Sequence, residues 1–217
     1  MNEHVILLHG IWMRGFVLTG LARQLRTSGY VVQTFEYASV LHGVAAAAPR
    51  LRARMRATRA DRVHLVGHSL GGVVAVEAAR DDAGLPPGHV VCLGSPLNGS
   101  DAARHLGRIP GGALLTGASH ATLCAGVAPW TGTRPVGVVA GRVPWGLGLV
   151  VGGLAGAHDG TVTVDETRLD GIADHCVVAA THTGLLFSDE ALRQTLRFLA
   201  DGHFDAASPG PGRKRTA

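Results

Sequence analysis

The stretch from Arg62 to Arg80 constrains this chain more than any other. It opens with the apolar run Arg-Val-His-Leu-Val-Gly, turns through Gly67-His68-Ser69-Leu70-Gly71, and continues into a segment rich in alanine and valine. The first run predicts a strand over Arg62 to Gly67, and the last a largely buried helix over Leu70 to Arg80. When a strand ends and a helix begins within one sharp turn, side chains two residues either side of the apex collide with neighbouring strands and helices. Gly67 and Gly71 have none, and Gly72 follows. Such a turn lifts the Ser69 hydroxyl out of the sheet at a helix N-terminus. There the helix dipole and free backbone N–H groups favour developing negative charge.

The rest of the chain alternates strand and helix. His4 to Leu8 is a continuous apolar run ending at His9-Gly10. Leu18, Leu21, Ala22 and Leu25 recur with helical spacing, and Gly29 stands where a helix would be capped. Tyr30 to Tyr37 predicts a strand and Leu41 to Arg59 a helix that Pro49 should start or kink. His89 to Gly94, Pro135 to Ala140 and His175 to Ala180 predict further strands. Ser188 or Asp189 can cap a final helix with Leu192, Leu196 and Leu199 on its inner face. The expected architecture is α/β: about six mostly parallel strands, apolar throughout, flanked by helices on both faces. Residues 1–204 are expected to form one domain, and residues 205–217, which lack core side chains, a mobile tail.

Composition removes several functions. The only lysine is Lys214 in the tail, whereas a P-loop and a pyridoxal Schiff base each need a lysine within the fold. The net charge of +4 is carried by arginine, clustered from Arg50 to Arg62 on one predicted helix. No aromatic residues interleave there to stack bases, so a solvated helix face is expected and no nucleic-acid partner. Cys92, Cys124 and Cys176 lie far apart without a C-x-x-C pair, which suits a reducing compartment. The N-terminus lacks a basic leader pattern, and the longest apolar stretch, Val143 to Ala157, is broken by Pro144 and five glycines. A cytoplasmic location without stable membrane insertion is expected. No H-E-x-x-H and no Cys/His pair with ligand spacing occurs, so neither metal nor cofactor is expected.

A serine nucleophile needs a base and an acid to orient it. On this topology they follow in the order Ser, Asp or Glu, His, each in a loop beyond a strand. His182 lies two residues past the end of the last predicted strand. His175 is at that strand's other end, and His203 is beyond the final helix. For the acid, Asp159 in Ala157-His158-Asp159-Gly160-Thr161 is preferred, because the glycine marks a tight loop able to aim a carboxylate. Asp165, Glu166, Asp170 and Asp174 remain alternatives by spacing. The expected roles are attack by Ser69 on an acyl carbonyl, proton transfer through His182, and orientation of the imidazole by Asp159. The backbone N–H groups of Leu70 and Ile11 are expected to receive the oxyanion. His9 is expected to be structural.

These residues resemble the small bacterial α/β-hydrolases of the lipase and esterase group. The likeness rests on His-Gly after the first strand, Gly-His-Ser-Leu-Gly-Gly, the Asp-Gly-Thr-Val segment and Leu93-Gly94-Ser95-Pro96, and extends from about Val5 to Leu199. It implies the α/β-hydrolase fold, a Ser-Asp-His triad and ester hydrolysis. Larger members carry a cap where this chain has about forty residues, from Gly94 to Pro135, rich in glycine and alanine, with few large apolar side chains, Leu114, Leu115 and Leu123 among them. A minimal or absent lid, an open site and a small-molecule acyl ester of short or medium chain follow as expectations. Trp12, Met13, Leu185, Leu186 and the loop from Trp145 to Leu154 are candidates to line the acyl pocket. Thioesterase, amidase and acyltransferase activities use the same parts, and a catalytically silent binding module would keep the same fold.

Overall fold

Strands that are apolar on both faces must be covered on both faces. In the computed structural model, which describes residues 2–81, 83–146 and 154–205, the chain meets this with one six-stranded sheet between two helical layers. The strands are β1 (Glu3–Leu8), β2 (Val31–Phe35), β3 (Arg62–His68), β4 (Val90–Leu93), β5 (Val136–Gly141) and β6 (Asp174–Val178). They lie in the order β2-β1-β3-β4-β5-β6, and every neighbouring pair is parallel. The helices are α1 (Thr19–Thr27), α2 (Gly43–Ala57), α3 (Leu70–Ala79), α4 (Asp101–Arg108), α5 (Gly112–Thr116), α6 (His120–Ala125) and α7 (Asp189–Asp201).

Alternation along β1 shows how the two layers divide. Ile6 and Leu8 pack with Leu51 and Met55 of α2 and with Val73 and Val74 of α3. Val5 and Leu7 face the other way, onto Leu21 and Leu25 of α1 and Phe198 and Leu199 of α7. The chain runs from β1 outward to β2, then returns across β1 to β3. This reversal opens a crevice at the carboxyl ends of β1 and β3, the place where open parallel sheets bind ligands. Leu8 pairs with Gly67, so the loop after β1 and the turn at Ser69 emerge side by side.

Two expectations are corrected in detail. The second helix starts at Gly43 and carries Pro49 inside it, so the proline does not start it. The buried stripe of α7 is Ala191, Gln194, Thr195, Phe198 and Leu199, with Leu192 and Leu196 at its margin. Its polar members are accommodated because Thr195 Oγ1 donates to the Ala191 carbonyl and Gln194 Oε1 accepts from the Asp205 N–H. Asp205 also pairs with Arg193 and Arg197, which anchors the first residue of the expected tail. The rest of that tail lies outside the described residues.

The basic side chains of α2 are engaged locally. Arg52 donates to the Glu77 and Ala78 carbonyls, Arg54 to Gln33 and Arg56 to the Ala83 carbonyl, and Arg50 stacks over Phe35. Among the described residues, no helix is long and apolar enough to cross a membrane.

Two histidines of β3 are buried in this sheet. Burial lowers both His64 and His68 to about 3, with the neighbouring histidines His89 and His182 respectively adding to the effect. Glu3 lies 3.6 Å from His64 Nε2, but desolvation dominates. Their unfolded value is 6.5. Below it the unfolded chain takes up protons that the folded chain refuses, so stability is complete above that pH and declines as pH falls towards 3. Each histidine should cost about 2 kcal/mol of unfolding free energy between pH 8 and pH 5. Urea titrations across that window check this. A flat profile would mean that both rings accept protons in the folded state.

Candidate active site

The turn at Ser69 is strained as its position requires. Ser69 has φ 55° and ψ −123°, and it shares a positive φ with one other described non-glycine residue, Trp12. Left-handed backbone at a non-glycine residue costs roughly 1–3 kcal/mol and persists only where the surroundings hold it. Here the Ser69 N–H donates to the Leu93 carbonyl at 2.9 Å, and its carbonyl accepts from Gly72 at 3.0 Å. A Cβ on Gly71 would stand 2.5 Å from the Leu8 carbonyl oxygen, so only a bare backbone lets α3 start this close to β1. Leu70 is the first residue of α3, in the turn whose N–H groups have no intrahelical acceptor.

The structure brings Asp159 and His182 together. His182 Nδ1–H donates to Asp159 Oδ2 at 2.7 Å, with Asp159 1% and His182 8% exposed. The other carboxylate oxygen accepts from the N–H groups of Thr161 and Val162 at 2.9 and 2.8 Å. The backbones are tied as well: the Asp159 N–H donates to the Val162 carbonyl, and the His182 N–H donates to the Asp159 carbonyl. Gly94 lies beneath the pair at φ 58°, where a Cβ would come within 3.0 Å of Asp159 Oδ2 and 3.2 Å of His182 Nδ1. Gly94, directly after β4, is thus the floor on which Asp159 and His182 meet.

The other carboxylates are placed elsewhere. Asp165 is on the surface beside Arg168. Glu166 is buried and accepts from the N–H groups of Asp101 and Thr163, joining the start of α4 to the loop that carries Asp159. Burial raises its carboxyl above the usual range. Asp174 accepts from the His175 and Phe204 N–H groups. Of the other histidines, His175 hydrogen-bonds Thr167 at the opposite end of the sheet, and His203 is exposed.

Ser69 and His182 open onto one cavity of about 260 Å³. Gly10, Ile11, Trp12 and Met13 line it from the loop after β1, Trp145, Gly146 and Thr161 from the segments around Asp159, and Thr181 and Thr183 beside the histidine. Leu185 and Leu186 do not line it; they turn back in a 3-10 segment, Thr183–Leu186, and are buried in the core against α7. Residues 147–153 of the expected lining loop lie outside the described residues. At its rim Trp12 is 52% and Trp145 74% exposed. The segment in place of a cap forms α4, α5 and α6, and touches the site where Trp12 Nε1 donates to the Leu115 carbonyl. Leu123 is buried beneath these helices, while Leu114 and Leu115 remain exposed.

The loop that carries Ile11 is fixed from below. Tyr37 donates to the His9 carbonyl, Glu36 accepts from the Gly15 N–H, and His9 stacks on Tyr37 at 4.5 Å. A larger groove of about 690 Å³ lies between α2, α3 and α6. Its guanidinium groups, Arg52 and Arg80, donate to backbone carbonyls.

Comparisons with known proteins bear on the fold of this chain. A family model described as alpha/beta hydrolase matches residues 32–122, which include Ser69 but neither Asp159 nor His182. No curated protein matches the chain in sequence. Among solved structures, a Bacillus licheniformis lipase in mature form superposes with a TM-score of 0.70 at 16% identity, over 92% of this chain and 91% of that one. A type II thioesterase from the borrelidin biosynthetic cluster gives a TM-score of 0.63 at 19% identity, over 92% of each chain. An α/β hydrolase from the metagenome of Mar Chica lagoon sediments, in Morocco, gives 0.60 at 19% identity, over 91% of this chain and 90% of that one.

Proposed function

From the premise that this chain is an α/β-hydrolase by fold, we propose that it is a serine hydrolase cleaving carboxylic esters of short or medium acyl chain. The observation that carries this is the buried Asp159–His182 pair at 2.7 Å, opening onto the same cavity as a serine held at φ 55°. In this proposal Ser69 Oγ attacks the ester carbonyl while His182 Nε2 takes its proton. The Ile11 and Leu70 N–H groups receive the oxyanion. The imidazolium then protonates the leaving alcohol, and water attacks the acyl-enzyme by the same route in reverse. Asp159 holds the imidazole in its Nδ1–H tautomer. The cavity lies at the small end of ligand pockets, which favours modest acyl groups. The free thiols of Cys92, Cys124 and Cys176 support a cytoplasmic setting.

A fluorophosphonate probe should leave one adduct on Ser69, read by intact mass and peptide mapping. Ester turnover, followed from acetate to palmitate, should peak below the long chains. Absence of an adduct on folded protein would overturn the proposal. The thioesterase likeness supports a second reading, cleavage of thioesters at the same site. Matched oxygen esters and thioesters of one acyl chain separate the two through kcat/KM.

A further inference from the structure

His68, the residue before the nucleophile, lies outside the roles described so far. It is 1% exposed at the end of β3, with its ring tilted 50° against that of His182 and the centroids 4.8 Å apart. Its Nε2 lies 2.9 Å from the His182 carbonyl oxygen. A carbonyl only accepts, so Nε2 carries the proton and Nδ1 the lone pair. That lone pair is buried without a hydrogen-bond partner. It faces Gly10 of the loop after β1, where a Cβ would stand 3.2 Å from Nδ1 and 3.2 Å from Ser69 Cβ.

An unpartnered buried acceptor destabilises the folded state, a cost an apolar ring of the same shape would not carry. What an apolar ring lacks is the Nε2–H donor. His182 is otherwise held by its N–H and its Nδ1–H, both through Asp159. The His182 carbonyl, at the start of the 3-10 turn, is held by His68. Burial and the adjacent His182 keep His68 neutral, so it puts no second positive charge beside the imidazolium formed in catalysis.

We propose that His68 is a positioning residue, which fixes the backbone of His182 through its Nε2–H and spaces the base from the oxyanion loop by packing on Gly10. This rests on the serine-hydrolase reading. A base displaced by a fraction of an ångström loses its line to the Ser69 hydroxyl, and misplacement near 1 Å costs about 100-fold in rate.

The test compares His68→Phe, which keeps a ring and loses the donor, with His68→Gln, whose side-chain amide can reach the same carbonyl. His68→Phe should lower kcat roughly 10- to 100-fold with KM little changed, and slow fluorophosphonate labelling by the same factor. His68→Gln should recover most of the loss. Equal kcat in wild type and His68→Phe, or equal losses in both variants, would overturn the proposal. Nitrogen NMR on the wild-type protein tests it without relying on a variant that folds. His68 should show a protonated Nε2 and a bare Nδ1, unchanged from about pH 5 to pH 8. An Nδ1–H tautomer would overturn it. Wild-type protein that fails to label at Ser69 would bring down the hydrolase reading itself. Normal wild-type labelling with an unaffected His68→Phe would bring down only the role of His68.

Discussion

Ser69→Ala is expected to lower kcat by about 10⁴- to 10⁶-fold, as in triad serine knockouts, and to abolish the fluorophosphonate adduct. The substitution removes one oxygen and leaves the turn intact. The Ser69 N–H bond to Leu93 and the carbonyl bond from Gly72 are backbone interactions, and alanine at φ 55° carries the same strain as serine. The residue lies at the cavity wall, so the lost hydroxyl leaves no sealed void. Melting temperature and near-UV circular dichroism should therefore stay close to wild type. This separates loss of chemistry from loss of fold. Activity near wild type in the folded variant would falsify Ser69 as nucleophile and leave the cavity as a binding pocket.

Why this turn is legible in sequence, and other parts of the site are not, comes down to range. The constraint at Ser69 is local: β3, the turn and α3 are contiguous, and the glycines answer to contacts within a few residues or with β1. His182 was legible for a similar reason, as a loop residue just past a strand. Asp159 could only be preferred among five carboxylates. Its orientation depends on the Thr161 and Val162 N–H groups and on a loop tied to α4 through Glu166, and this folding leaves no periodic signal. Leu185 and Leu186, just after His182, are candidates in the sequence for the pocket wall. The 3-10 turn that starts there rotates them into the core instead. In α7 the leucines suggested one face, but the buried stripe is centred on Thr195 and Phe198, because Thr195 bonds within the helix and Phe198 fills the space over Gly137. The bond from His68 to His182 spans 114 residues and could not be inferred from either segment alone.

Asp159→Asn is expected to lower kcat by about 10⁴-fold, by the tautomer logic of triad acids, while leaving the fold in place. The hydrogen bonds decide how asparagine will sit. Oδ1 of Asp159 accepts from two backbone N–H groups at 2.9 and 2.8 Å, so the amide oxygen of asparagine takes that position. The NH₂ group is then directed at His182 Nδ1. Two donors cannot face each other, so the imidazole keeps its lone pair on Nδ1 and its proton on Nε2. In that tautomer it cannot accept the Ser69 proton. The loss should fall on kcat with KM nearly unchanged, because Asp159 is buried behind the histidine and away from the substrate. Fluorophosphonate labelling should slow in proportion. Asp165→Asn serves as the contrast: its side chain is 91% exposed beside Arg168, and the variant should match wild type. Full activity in Asp159→Asn, with loss in Asp165→Asn, would transfer the acid role to Asp165 and require the 159–166 loop to rearrange before catalysis.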